Sequence, residues 1–208
     1  SEWEKLKTAL EALSAKQPDS DWAQLVTSSE LAPIRFYLDE LRAIVADILH
    51  DDQRAGQVID RLRWMEAKDL SAVHAIETMS FSNPWHVETF LGEIQNRPVS
   101  HALVAVHEQD KRIIGYIVFW IVKDEAQINN IAVHPDDRGK GFGKGILAAT
   151  LKEMKASGIR TVTLEVRESN LKALGVYKSL GFQVVSRRRD YYTNPREDAL
   201  AMLLMFGP

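Results

Sequence analysis

The chain has no cysteine among its 208 residues. Disulfides, a thiol nucleophile and any thiolate metal site are therefore excluded, and a reducing compartment fits. An excess of charge is missing as well. The net charge is -3 at pH 7, and Arg187-Arg188-Arg189 is a basic triplet rather than a basic face, so nucleic acid is not an expected partner. The longest apolar run, Ile113 to Val122, is strand-sized and well short of the roughly 20 residues of a membrane helix. The opening Ser-Glu-Trp-Glu-Lys-Leu lacks the charged-then-apolar layout of a signal peptide. A cytoplasmic protein with no membrane partner is expected. The histidines at 50, 74, 86, 101, 107 and 134 show no His-x-x-x-His spacing, and Gly-x-Ser-x-Gly is absent, so neither a metal site nor a serine-nucleophile elbow is expected. What is present is ordinary: 45% hydrophobic and 26% charged residues, enough for one domain and an additional piece.

The first sixty residues read as all-α. Trp3, Leu6, Leu10 and Leu13 recur at helical spacing, Gln17 to Asp21 breaks the pattern, and a second apolar face runs from Phe36 to Leu49 after Pro33. From about Arg61 the pattern changes. Leu62 and Trp64 alternate with Arg61 and Arg63 as in a strand. Asp69 is placed to cap a helix through about Thr78, and Asn83-Pro84 separates it from a helix at Val87 to Gln95. Strands are expected at Ala102 to His107, Ile113 to Val122 and Gln127 to Val133, then a helix at Gly143 to Ala156. A strand at Thr161 to Val166, a helix at Leu171 to Leu180 and strands at Phe182 to Arg188 and Ala199 to Met205 complete the chain. The expected fold is α/β: a mixed central sheet with helices on both faces over residues 61–208, preceded by a small helical extension over 1–60.

The most informative stretch runs from Asn130 through Ile131, Ala132, Val133, His134-Pro135-Asp136-Asp137, Arg138, Gly139, Lys140, Gly141, Phe142 and Gly143 to Lys144. An apolar strand empties into a loop with three glycines and two lysines, and a helix follows. Glycines admit close backbone approach, while a helix N-terminus offers free N–H groups to an anion such as a pyrophosphate. The spacing is neither a P-loop nor a dinucleotide fingerprint.

Arg138, Gly141 and Gly143 resemble the Gln/Arg-x-x-Gly-x-Gly/Ala signature of the GNAT superfamily of acetyltransferases. Leu164-Glu165-Val166-Arg167-Glu168-Ser169-Asn170, with Ala173, Tyr177 and Gly181-Phe182, resembles the second half of that fold. Arg188 to Tyr192 and Glu197 to Ala199 resemble the closing segment of its RimI-type branch, the Nα-acetyltransferases of ribosomal proteins. Phe81 to Trp85 is similar to that branch's substrate loop. The resemblance covers residue 61 to the end.

It implies acetyl-CoA as cosubstrate and direct attack by the acceptor amine. It implies that the backbone of Ile131, Ala132 and Val133 meets the pantetheine arm, that Arg138 to Lys144 holds the pyrophosphate, and that Asn170 reaches the cofactor arm. Glu165 matches the general base and Tyr177 the general acid. Phe81, Trp85, Asn130, Tyr191 and Tyr192 are the substrate-binding candidates. Elementary chemistry agrees with the catalytic pair. Attack on a thioester needs a neutral amine, and an α-amine of pKa about 7.7–8.0 is far easier to deprotonate than a lysine near 10.4. Tyr177 follows Asn170 by about two helical turns, which puts both on one helix face. Tyr191 and Tyr192 are adjacent in a strand, so the two rings are expected on opposite sides.

Three functional readings stand at this point: a protein N-terminal acetyltransferase, a lysine or small-amine acetyltransferase, and a CoA-binding scaffold. Residues 36–63 resemble the dimerisation helix of histidine kinases, without the phosphoacceptor motif or an ATP-binding domain. Self-association, partner docking or simple packing are the roles left for residues 1–60.

Overall fold

The computed structural model describes residues 62–107 and 110–207. The expected helical extension and the kinase-like segment lie outside them, save its last two residues. Described elements are β1 (Leu62–Trp64), α1 (Leu70–Ser80), α2 (Val87–Gln95), β2 (Ser100–Val106), β3 (Ile113–Val122), β4 (Glu125–Val133), α3 (Phe142–Ala156), β5 (Thr161–Arg167), α4 (Leu171–Ser179), β6 (Gln183–Thr193) and β7 (Arg196–Met205). The strands form one sheet in the order β1-β2-β3-β4-β5-β7-β6. Among the described strands only β4 and β5 run parallel; the other neighbours are antiparallel. The mixed α/β architecture expected from the sequence is the one observed.

β3 explains why its sequence is apolar at almost every position. Ile114, Ile117 and Phe119 join a core with Ile146, Leu147, Leu151 and Met154 of α3. Tyr116 and Val118 join a second core with Val73 and Ile76 of α1 and Phe90 of α2. A strand covered on both faces has no solvent side to mark with polar residues. Each fully buried side chain of this size contributes about 1.5–3 kcal/mol.

α1 buries Leu70, Val73 and Ile76 at helical spacing, and with them Glu77. It stops at Phe81, whose backbone is extended, just before Asn83-Pro84. The Asp69 carboxylate does not cap α1. It accepts from Glu66 N–H at 2.9 Å and from both terminal nitrogens of Arg63 at 2.6 and 2.8 Å, closing a capping box on the short 3-10 turn before α1. The expected cap therefore serves the preceding turn.

β4 carries the distortion that organises the site. Val118 pairs with Asn130 and Phe119 with Ile128, so Asn129 is an extra residue in a bulge. Such an insertion reverses which side chains face which side. Ala126 and Ile128 before the bulge pack toward α3, as do Ile131 and Val133 after it, while Ala132 packs toward α1.

Candidate active site

β4 and β5 pair from Glu125/Thr161 to Ile128/Leu164, and the recorded ladder ends there. Beyond that point β4 continues as Ile131, Ala132 and Val133 and β5 as Glu165, Val166 and Arg167. A strand that loses its neighbour presents N–H and C=O groups sideways, which suits an extended amide-containing arm. Val133 then leads through a 3-10 turn at Pro135–Asp137 into the glycine loop. Gly139 and Gly141 have φ of 75° and 83°, a left-handed backbone that glycine adopts without strain. Gly141 is the N-cap of α3. A β-carbon added at Gly143 would meet Val133 Cγ2 at 3.6 Å, so the strand end and the helix start are in contact. The N-terminus of α3, two left-handed glycines and a parted strand edge together fit the pyrophosphate and pantetheine of acetyl-CoA.

The charges around this loop are organised by Asp137, which is buried beneath it. Arg112 donates to Asp137 at 2.6 Å, and Lys140 Nζ lies 3.1 Å from the same carboxylate. The Arg112 guanidinium, helped by Lys140 and opposed by burial, holds the Asp137 carboxyl below the usual carboxylate range. Arg138 donates through Nε to Val133 O at 3.0 Å and through a terminal nitrogen to Ser80 Oγ at 2.7 Å, tying the loop to the end of α1. Phe142 packs partly buried against the α3 core. Lys144 lies in the first turn of α3, partly buried.

The catalytic candidates come together around Tyr192. Tyr177, on α4, is 9% exposed, and burial followed by the neighbouring Tyr192 pushes its phenol up to about 12. Tyr192 is likewise pushed up to about 12, by burial first, then by Tyr191, with Glu165 and Glu197 adding to the rise and Arg167 opposing it. Glu165, on β5, has its carboxylate 3.0 Å from the Arg188 guanidinium. Asn170 is the N-cap of α4 and accepts from Ala173 N–H at 3.2 Å through Oδ1.

Tyr191 and Tyr192 do not alternate as expected. Arg188 pairs with Ala199 and Tyr192 with Glu197, so the strand bulges between them. Asp190 sits there at φ 52°, held by its N–H on Asp198 at 2.9 Å and by Arg196 at 2.6 Å. The irregularity brings the two rings edge to face with centroids 5.1 Å apart. The same bulge conceals the length of the hairpin: β6 reaches Thr193 and β7 starts at Arg196, where the sequence suggested loop.

The hairpin tip meets the loop after α1. Ser82 Oγ donates to Asn194 O, and Asn194 Nδ2 donates to Ser82 O at 3.3 Å. Arg167 donates to Asn194 O at 2.8 Å and Pro195 O at 3.0 Å and pairs with Glu197 at 3.1 Å. Of the substrate candidates on that loop, Phe81 is exposed and Trp85 packs on Phe90 at 5.4 Å. Asn130 is buried, with its Nδ2 donating to Glu77 and its Oδ1 3.2 Å from the Tyr116 hydroxyl. Ser82, Asn194 and Glu77 were not singled out by their sequence, because polar residues beside a proline or on a helix are usually solvated. Arg167 lies inside a quoted motif without a role of its own.

Among the described residues no cluster of three or more His, Asp or Glu could hold a metal ion, and no helix is long and apolar enough to cross a membrane.

With that geometry in hand, relatives are informative. Residues 70–182 match the Acetyltransferase (GNAT) family. The chain is 40% identical over 141 residues to the putative ribosomal protein bS18-alanine N-acetyltransferase of Bacillus subtilis, covering 68% of this chain and 92% of that one. It is 37% identical over 142 residues to the bS18-alanine N-acetyltransferase of Escherichia coli K12, covering 67% and 93%. The crystal structure of the Escherichia coli enzyme superposes with a TM-score of 0.64 at 34% identity, over 71% of this chain and 94% of that one. The chain therefore belongs to the GNAT family, in its RimI-type branch, and is an acetyl-CoA-dependent N-acetyltransferase.

Proposed function

We propose that this enzyme acetylates the α-amino group at the N-terminus of a protein, with a ribosomal protein as its natural acceptor, and that residues 61–208 form its catalytic domain. The observation that carries the reading is that Tyr192 lies within electrostatic reach of both Tyr177 and Glu165, on a hairpin whose tip is bridged by Asn194 to Ser82 of the loop after α1. The 37% identity to the Escherichia coli bS18-alanine N-acetyltransferase supports the same acceptor class. Acetyl-CoA supplies an acetyl thioester. Ile131, Ala132 and Val133 orient it along the parted edge of β4, and Arg138 to Lys144, with Asn170 alongside, hold its phosphate end and arm. Glu165 removes a proton from the acceptor ammonium, directly or through one water. Tyr177 keeps its proton at neutral pH and donates it toward the departing sulfur. Full transfer from a phenol near 12 to a thiolate whose thiol has pKa about 8.5 is uphill, so it runs in step with passage of the amine's second proton back to Tyr177, directly or through water, which restores the phenol as the amide forms. Phe81, Trp85, Tyr191 and Tyr192 line the acceptor's path.

On this reading the enzyme works in the cytoplasm. The test is thiol release from acetyl-CoA against short peptides with free or blocked N-termini, alongside internal-lysine and polyamine controls. Turnover confined to free N-termini is expected. Turnover of lysine or polyamine instead would replace the protein α-amine by a different acceptor.

A further inference from the structure

Glu77 is a charged residue on a helix, and its sequence context gives no reason to separate it from the solvated ones. In the structure it is 1% exposed. Burying a carboxylate is unfavourable unless its lone pairs are filled by donors, and a carboxylate has about four such positions. Here the Trp85 backbone N–H donates to Oε1 at 2.8 Å. The Tyr116 hydroxyl donates to Oε2, and Asn130 Nδ2 lies 3.2 Å from each oxygen. All three partners are neutral, so among the described residues the carboxylate is held by directed hydrogen bonds rather than by a counter-ion. Burial beside Glu77 keeps the Tyr116 phenol protonated, so its donor is permanent.

Glu77 and its three partners come from four parts of the fold: Glu77 from α1, Tyr116 from β3, Asn130 from just after the β4 bulge, and Trp85 from the loop between α1 and α2. Within that loop Pro84 has no N–H, so Trp85 supplies the first backbone donor after it. Asn130 immediately precedes Ile131, where the cofactor stretch begins. One carboxylate thus spans from the loop assigned to the acceptor to the strand assigned to the cofactor.

We infer that Glu77 is a positioning residue for acceptor binding: it fixes the Phe81–Trp85 loop against β4 through the Trp85 backbone. Asn130 takes part in acceptor binding through this carboxylate. The inference rests on the reading that this loop meets the acceptor. Replacing Glu77 by Gln keeps the shape but turns one acceptor into a donor, which then faces the Trp85 N–H or the Asn130 amide. An unmade buried hydrogen bond to a charged group is worth about tenfold or more in an equilibrium constant.

The experiment measures peptide KM, kcat and acetyl-CoA Kd for the full chain and for Glu77→Gln and Tyr116→Phe, with amide hydrogen exchange read at Trp85. For Glu77→Gln, peptide KM should rise about tenfold or more while acetyl-CoA Kd stays within about twofold, and Trp85 exchange should accelerate. Tyr116→Phe keeps the ring volume and should move the same readouts by less; it carries the test if Glu77→Gln is not recovered folded. Unchanged peptide KM, or equal weakening of peptide and acetyl-CoA, overturns the inference. If the unsubstituted enzyme ignores every peptide, the acceptor reading fails by itself. Trp85 exchange then decides for Glu77: lost protection supports the anchor, and unchanged protection overturns it.

Discussion

The guanidinium carbon of Arg167 lies 4.1 Å from the centre of the Tyr192 ring. The same side chain bonds Asn194 O, Pro195 O and Glu197, so one residue at the end of β5 holds both the ring and the hairpin tip. A cation over a ring is worth about 0.5–2 kcal/mol, and each hydrogen bond to a charged donor about 1.5–3 kcal/mol, though such values do not add. Arg167→Met should therefore lower stability by about 2 kcal/mol or more and raise peptide KM severalfold, with acetyl-CoA Kd little changed. Thermal melts and separate titrations of the two substrates check it.

Tyr177 is placed to give a proton. Tyr177→Phe should reduce kcat by about 10²–10⁴ and leave acetyl-CoA affinity intact, whereas a scaffold would be indifferent to the change. Its phenol is raised to about 12 by burial and by Tyr192, which favours the protonated form. The proton is thus retained up to pH 10 and lost only as pH approaches 12. The pH profile of kcat should show no alkaline limb attributable to Tyr177 below pH 10. A limb near pH 8 that disappears in Tyr177→Phe would mean that the phenol is not raised as its burial implies, whereas an unchanged kcat in Tyr177→Phe would remove its role as proton donor.

Glu165 should matter most where the acceptor is protonated. At pH 7 most of an α-amine with pKa about 7.7–8.0 still carries its proton, and Glu165→Gln should cost about 10²–10⁴ in kcat/KM. At pH 9 the amine is almost wholly neutral, so the deficit should shrink by about six- to tenfold. A deficit that is the same at both pH values would leave Glu165 a binding residue rather than a base.

The fold was legible because its period signals are unambiguous. Ile113–Val122 reads as a strand from its unbroken apolar run, Gly143 to Ala156 as a helix, and Gly139-Lys140-Gly141 as the turn that leads into it. The parts that escaped share a physical reason. A buried polar residue looks like a surface one until its partners are known, and those of Glu77 lie 8, 39 and 53 residues away. The Asn129 bulge and the irregularity around Asp190 each change which face a side chain takes, and no local pattern announces an inserted residue. Tyr191 and Tyr192 consequently meet edge to face instead of diverging.

Two glycines make opposite predictions from the same kind of geometry. Gly115 lies on β3 opposite Val133, and a β-carbon there would stand 2.7 Å from Ala132 O and 3.0 Å from Ile146 Cδ1. The first contact is with backbone, so β4 must move, and overpacking of this kind costs about 1–3 kcal/mol. The displaced residues are Ala132 and Val133 of the cofactor stretch. Gly115→Ala should lower Tm and also weaken acetyl-CoA binding, as a fluorescence or calorimetric titration would read. Gly175 sits in α4 two residues before Tyr177, and a β-carbon there has no described atom within 4 Å. Gly175→Ala should raise stability by up to about 1 kcal/mol through helix propensity alone, with kcat unchanged. If Gly115→Ala bound acetyl-CoA as tightly as the unsubstituted chain, the Ala132–Val133 backbone would not be the surface that holds the cosubstrate.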